Sequence, residues 1–352
     1  IKYYFKDGAK VEIIGKSKSQ YEIEFVNRDT GLTAYKDTIT ANHWCAPSLR
    51  YYVNWDIFIR ENGKEKVKQE FNCKGKNVLI HLDSTAIGDT IAWVPYLDEF
   101  RKKHTCKVYG RTFHNEKFRG VYPEINWIDP SKEPVDDIYA YYSIGCRDND
   151  YNCNKNNWRS VPLQKVASDY LGLEYKEIRP KMVKSTKTRP IKEKYVAISE
   201  HSTFQCKYWL YKNGWQTIVD ELNRMGYKVV VISKEPTKLK GIVNRTNKPM
   251  ADSINTIQHA DLFMGVSSGP SWMAWALDIP VVLISGYSAV WGEFQDNCAR
   301  IVPPEGICGG CFNDRDAVLD RGNWNWCPRS KNFECSTSIT PEMVMKGVKK
   351  FI

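Results

Sequence analysis

Over its first 74 residues the chain alternates polar and apolar positions, and from Asn77 onward it changes to short apolar runs separated by helical periods. Segments 11–14, 21–26 and 51–59 carry the alternating or β-branched and aromatic pattern of half-buried strands. Turn signals at Asp7-Gly8, Asp29-Thr30-Gly31 and Asn62-Gly63 separate them. This predicts a small barrel or sandwich of its own over residues 1–74, with nothing catalytic in it. After it, 78–82 reads as a buried strand, a loop through Gly88 leads into a helix over about 90–103, and strands are expected at 107–109 and 138–142, with a helix over 163–171. The charged stretch 184–194, which contains Pro190, is the best linker.

A second α/β unit begins at 195–199. Trp215, Ile218, Val219 and Leu222 stand at i, i+3, i+4 and i+7, the spacing of one apolar helix face, and strand 228–232 follows. Strand 261–266 runs into a Ser/Gly turn and a helix ending near Leu277, then strand 280–285. Thr340 as N-cap and Pro341 at the first helical position open a last helix. Strand and helix alternating twice predicts two Rossmann-like domains, 75–188 and 189–352, with a cleft between them where strand ends and helix N-termini converge.

Composition narrows the class of protein. The chain has 352 residues, 42% hydrophobic and 13% aromatic, enough for two or three full cores. No run approaches the roughly twenty apolar residues of a membrane span, and the segment 1–5 carries no signal-peptide pattern. Eleven cysteines, an odd number in a large chain, favour a reducing compartment over a disulfide framework, so the expected location is the cytoplasm. Lys and Arg outnumber Asp and Glu by 51 to 41, which favours polyanionic partners or phosphorylated small molecules. The basic residues are scattered and no recognition helix or RNA-binding aromatic motif is present, which argues against nucleic acid.

Three constellations carry chemistry. Cys308, Cys311, Cys327 and Cys335 are spaced C-x2-C-x15-C-x7-C. A two-residue knuckle closes a tight turn on two sulfurs, later thiols complete a tetrahedral shell, and an ion would give the intervening insert 312–326 a core it lacks. Four ordinary thiols or two disulfides are the alternative. A closed shell of four thiolates leaves no open position for substrate, so the metal would be structural, and ligand softness admits zinc or iron equally. The second constellation is Asp83-Ser84-Thr85-Ala86-Ile87-Gly88-Asp89-Thr90, which joins a strand to a helix. A carboxylate there faces the carboxyl end of the sheet and can take a proton from a hydroxyl, or merely cap the helix. The third lies in the second α/β unit. Ser267-Ser268-Gly269-Pro270-Ser271 joins a strand to a helix N-terminus that favours phosphate, and Lys207, on the loop after the unit's first strand, can meet a diphosphate as a point charge. Lys234 and Glu235, beyond the next strand, could reach a ribose or form a plain surface pair. No G-x-G-x-x-G turn opens either unit, which argues against a dinucleotide enzyme.

These residues resemble a known family. Ala86-Ile87-Gly88-Asp89-Thr90 is similar to the cleft motif of the ADP-heptose-dependent glycosyltransferases of family 9, and Lys207-Tyr208-Trp209 to their lysine-x-tryptophan phosphate segment. The cysteine cluster, the Ser-Ser-Gly-Pro-Ser-Trp turn and the N-terminal β region together resemble the bacterial autotransporter heptosyltransferases. The resemblance implies a GT-B enzyme with an N-terminal β domain and a four-cysteine metal-binding insert, moving heptose from ADP-heptose to serines of an autotransporter passenger in the cytoplasm. It implies Asp89 as base and Thr85, Gly88, Thr90, Thr203, Lys207, Trp209, Lys234, Glu235, Ser267, Ser268, Gly269 and Ser271 as donor-binding residues. It also implies one structural ferric ion on the four cysteines and a large ring-like homo-oligomer. Where lipopolysaccharide heptosyltransferases carry Asp-Thr-Gly-Leu-x-His, this chain has Ser267-Ser268-Gly269-Pro270-Ser271-Trp272, which favours the protein-modifying branch. The rival readings are a transferase acting on a lipopolysaccharide or small sugar, and a non-enzymatic binding protein on the same fold.

Overall fold

The computed structural model describes residues 1–132, 137–318 and 325–352. The N-terminal strands are β1 (Lys2–Lys6), β2 (Lys10–Ile13), β3 (Tyr21–Asn27), β4 (Leu32–Ile39), β5 (His43–Cys45), β6 (Trp55–Glu61) and β7 (Lys64–Glu70). They do not form one isolated barrel or sandwich. β4, β3, β6 and β7 make an antiparallel four-stranded sheet of their own, whereas β1, β2 and β5 extend a different sheet. The reason lies in β1, which has antiparallel β2 on one edge and pairs in parallel with a later strand through Phe5 and Lys6 on the other. β4 and β7 escaped prediction in part because most of their residues are exposed. As sheet edges they need no apolar alternation, and β7, KEKVKQE, carries the charge that discourages edge pairing.

The first α/β sheet is built from β8 (Asn77–Leu82), β9 (Lys107–Arg111), β10 (Asn126–Trp127) and β11 (Ile138–Ile144), in the order β10-β9-β8-β11-β1-β2-β5. The expected helix over 90–103 is two helices, α1 (Ile87–Trp93) and α2 (Pro95–His104). Proline lacks an N–H and fixes its own φ, so Pro95 ends one helix and sits at the first turn of the next, where the missing donor costs nothing. α3 (Leu163–Tyr170) follows.

The second α/β sheet has a simple order. Its strands are β12 (Tyr195–Ser199), β13 (Lys228–Val231), β14 (Val243–Asn244), β15 (Leu262–Val266), β16 (Val281–Ile284) and β17 (Cys298–Ile301), arranged β14-β13-β12-β15-β16-β17 with every neighbouring pair parallel. This is the doubly wound order, which reverses direction between β12 and β15. β12, β15 and β16 are buried at every residue, as parallel strands covered on both faces must be. The helices of this part are α4 (Gly214–Arg224), α5 (Met250–Ile257), α6 (Gly269–Ala276), α7 (Glu334–Thr337) and α8 (Pro341–Val348). Trp215, Ile218, Val219 and Leu222 of α4 are all buried, and with Val344 and Val348 of α8 they join one core under the sheet. The Thr340 side chain accepts the Met343 N–H, the N-cap its position predicts.

By backbone contacts the chain divides into two units. One comprises 1–85, 93–158 and 164–176, and the other 86–92, 159–163 and 177–352. Segment 86–92, which carries Asp89, therefore groups with the second α/β sheet. Among the described residues no helix is long and apolar enough to cross a membrane.

Candidate active site

In a parallel sheet wound in both directions, the loops leaving the carboxyl ends of the two strands beside the reversal diverge and leave a crevice for a ligand. Here those loops are 200–207 after β12 and 267–268 after β15. They are tied together by the Ser202 hydroxyl, which donates to the Ser267 carbonyl at 3.2 Å. Lys207 ends a short 3-10 turn, Gln205–Lys207, on the first loop. The Ser/Gly turn opens α6 on the second. The loop after β13 lies alongside, since the Ser233 hydroxyl accepts the Glu200 N–H at 3.0 Å. Burial first, and then the charges of Glu235 and Glu200, raise the Tyr208 phenol above its ordinary range. Thr203, Lys234 and Glu235 are exposed around these loops, where a ligand can reach them.

α1 meets α6 glycine to glycine. A Cβ on Gly88 would lie 3.4 Å from the Gly269 Cα and 3.3 Å from Cδ1 of Trp272, and one on Gly269 would lie 2.6 Å from Cγ2 of Ile87. Neither glycine has a positive φ, so what they supply is closeness of approach rather than backbone freedom. Asp89, in the first turn of α1 and half-buried, is thereby carried to the same corner as the Ser/Gly turn. Thr85, just before this segment, is exposed, and its carbonyl meets the His114 ring at 3.1 Å.

Several residues expected to touch the donor with their side chains do something else. Trp209 is buried in the core beside Trp215, and its indole N–H donates to the Ile339 carbonyl at 2.8 Å. An apolar ring so close to the surface loop is most stable inside, so it anchors the Lys207 segment from below. Thr90 is fully buried with its hydroxyl on the Ala86 carbonyl. Within the Ser/Gly turn, Ser268 and Ser271 both donate to the Val266 carbonyl, and Ser267 donates to Glu293 at 3.0 Å. A phosphate needs donors and these hydroxyl protons are committed, so the turn has backbone N–H groups to offer. Pro270 supplies none, which leaves Ser268 and Gly269.

A buried ion pair, invisible to motif reading, braces that turn. Glu293 accepts from Ser267, from the Trp272 indole at 3.2 Å and from Arg300 at 3.1 Å, and Arg300 also donates to the Ser285 hydroxyl and the Ala289 carbonyl. Both charged side chains are almost wholly out of water, 5% and 9% exposed. Such a pair survives only with most of its remaining hydrogen-bonding capacity filled; here both terminal nitrogens of Arg300 are bonded, while its buried Nε has no hydrogen-bond partner.

The four cysteines lie on one stretch. Burial pushes the Cys335 thiol up to about 12, and Cys308, Cys311 and Cys327 add to the rise by their charge, so each of these three is within electrostatic reach of Cys335. Burial raises Cys311 as well. For Cys327 burial is outweighed by the N–H groups of Phe333, Lys331 and Arg329, which bring its thiol below the ordinary range. This nest of amides around one sulfur, with the Lys331 N–H at 3.3 Å, favours a thiolate. The donor set therefore fits a soft ion chemically, although among the described residues no three such side chains stand in metal-holding geometry. Part of the insert expected to be ordered by the ion, 319–324, lies outside the described residues.

A doubly wound sheet with a phosphate-type turn at its reversal, approached by a carboxylate-bearing helix, is the arrangement of a nucleotide-binding α/β protein. Glycosyltransferase family 9 (heptosyltransferase) matches residues 162–290. The autotransporter heptosyltransferase BAHTCr of Citrobacter rodentium is 31% identical, covering 98% of this chain and 87% of its own. The chain belongs to the autotransporter heptosyltransferase family and is a heptosyltransferase. The crystal structure of TibC from enterotoxigenic E. coli H10407, an iron-containing dodecameric glycosyltransferase, superposes with a TM-score of 0.90 at 29% identity, over 99% of this chain and 94% of that one. TibC has also been crystallised with ADP-D-beta-D-heptose. The inactive autotransporter heptosyltransferase BimC of Burkholderia thailandensis is 25% identical, over 99% of this chain and 85% of its own.

Proposed function

We propose that this chain transfers heptose from ADP-heptose to serine hydroxyls of an autotransporter passenger protein by a single inverting displacement. The observation that carries the reading is the meeting of α1 and α6 at Gly88 and Gly269, which brings Asp89 to the Ser/Gly turn at the reversal of a nucleotide-binding sheet. In this mechanism the acceptor oxygen forms a bond to the anomeric carbon. Its proton passes to the Asp89 carboxylate, and the bond to the diphosphate oxygen breaks with its electron pair going to ADP. General-base help of this kind contributes ~10²- to 10⁴-fold. Lys207 and the amides of Ser268 and Gly269 stabilise the charge growing on the diphosphate, the largest part of such catalysis in many enzymes. ADP leaves as a stable anion, so one carboxylate suffices where a glycosidase needs two.

The GT-B reading gives residues 75–188 the acceptor role and 189–352 the nucleotide-sugar role, with 1–74 as an added β region. Cys308, Cys311, Cys327 and Cys335 would hold one ferric ion, whose chemistry here is to cross-link the chain without taking part in transfer. Assembly into a homo-oligomer and action in the cytoplasm complete the proposal, the first by likeness to the dodecameric TibC.

Turnover with different acceptors is the test. ADP-heptose and candidate passenger proteins are incubated with the enzyme and read by intact mass, beside lipid and sugar acceptors. Asp89→Asn should abolish serine modification while calorimetric ADP binding persists. Near-normal turnover by that variant would remove Asp89 from the role of base, and modification only of lipid or sugar would replace the acceptor assignment.

A further inference from the structure

The cysteine-bearing stretch sits directly against the lysine assigned to the diphosphate. The Lys207 ammonium lies 4.4 Å from the ring centroid of Phe312 and 5.5 Å from that of Phe204. Phe312 is the neighbour of Cys311. We propose that Phe312 is a positioning residue that aims Lys207 at the donor diphosphate, so that the cysteine segment is the template of the phosphate site. The proposal rests on the reading of Lys207 as the phosphate lysine.

Three features make Phe312 a fixed platform. Its N–H donates to the Tyr287 carbonyl at 3.0 Å and its carbonyl accepts from Arg159 Nε at 2.9 Å. The same guanidinium donates to the carbonyls of Cys311 at 3.0 Å, Asp314 at 2.5 Å and Ala317 at 3.0 Å, and Asn313 returns a bond to the Arg159 carbonyl. Arg159 is only 5% exposed, and a buried guanidinium spending its rigid fork on four carbonyls of one loop locks that loop's path. Cys206, beside Lys207, is buried against Tyr287 and Cys311 in a small separate core that Phe204, Phe312 and Phe333 flank.

The lysine segment is also held by the neighbour of another cysteine. Ser336, next to Cys335, donates its hydroxyl to the Tyr208 carbonyl at 2.5 Å and accepts the Leu210 N–H at 2.8 Å. Residues next to Cys311 and Cys335 thus both hold the segment 206–210. A lysine stem free in water spreads over many rotamers, and ordering it on binding weakens affinity. A cation held over an aromatic face has already lost that freedom, and the ammonium N–H groups that point away from the ring stay available to a phosphate.

The test uses the full-length, metal-loaded protein and reads ADP affinity by calorimetry beside donor kinetics. Phe312→Leu should weaken ADP binding and raise the donor KM by about 3- to 30-fold, the span expected for losing one cation–π contact. Its melting temperature should fall by only a few degrees, and Phe312→Trp should restore affinity. In a Lys207→Ala background Phe312→Leu should add less than about twofold, since the partner is gone. Stepwise fluorination of Phe312 keeps the ring's shape while draining its face of negative charge, and should weaken ADP binding in proportion even if the leucine variant fails to fold. An equal loss from Phe312→Leu with and without Lys207, or affinity indifferent to fluorination, overturns the proposal while leaving Lys207 its role. Unchanged ADP binding in Lys207→Ala instead overturns the reading of Lys207 on which the proposal stands.

Discussion

Gly269→Ala is the sharpest probe of how the site is assembled. The new Cβ would fall 2.6 Å from Cγ2 of Ile87, roughly 0.8 Å inside ordinary contact, so either the Ile87 side chain turns away or the first turn of α6 withdraws from α1. Ile87 is only half-buried, but its β-branched side chain is stiff about its first torsion, and Gly88 next to it already sits against the Gly269 backbone. Overpacking of this kind costs about 1–3 kcal/mol. That is tolerable for folding in a chain of this size and serious for geometry, because a displacement near 1 Å between reacting groups can cost ~10²-fold in rate. The expected outcome is a fall in kcat of about 10- to 100-fold with a small drop in melting temperature. Ile87→Ala removes the clashing methyl, so the double variant should recover most of the lost kcat. Full activity in Gly269→Ala, or no recovery in the double variant, would refute close helix approach as the feature that sets Asp89 against the turn.

Three further outcomes follow from the same structure. Arg300→Ala leaves the buried Glu293 carboxylate without its cation and should destabilise the protein by about 3–5 kcal/mol in chemical denaturation; a loss under 1 kcal/mol would mean that water reaches the pair. Burial against Phe100 and Tyr52 pushes His104 down to about 4, so the unfolded chain takes up a proton from pH 6.5 downward before the folded one does. Stability should therefore be at its full value above pH 6.5 and decline as pH falls towards 4, and His104→Gln should flatten that part of the profile. Purified protein should be coloured and contain one iron per chain by elemental analysis, with Cys335→Ser losing both; a colourless preparation with stoichiometric zinc would replace iron by zinc.

Local patterns made much of the second sheet legible. The apolar runs that became β12, β15 and β16 lie on fully buried parallel strands, where every residue must be apolar, and the spacing of Trp215, Ile218, Val219 and Leu222 fixed the buried face of α4. Pro95 was in plain view, yet the apolar period continued across it and concealed the break between α1 and α2. The edge strands β4 and β7 bury one face at most and left little pattern to find.

By itself the sequence determined the chemical inventory: a carboxylate and a glycine before a helix, a serine-glycine turn after a strand, a loop lysine and four spaced thiols. Spacing along the chain carries these because each depends on neighbours a few residues away. Only the tertiary structure decided which atoms of them remain available. It turned the hydroxyls of Ser267, Ser268 and Ser271 inward, sank Trp209 into the core, and sent β1, β2 and β5 to a sheet other than that of β3. It also brought Arg159 to carbonyls more than 150 residues away and set Phe312 under Lys207. Such partners follow from what each buried polar group must find to be satisfied once water is excluded, a requirement that acts through space and leaves no periodic trace in the chain.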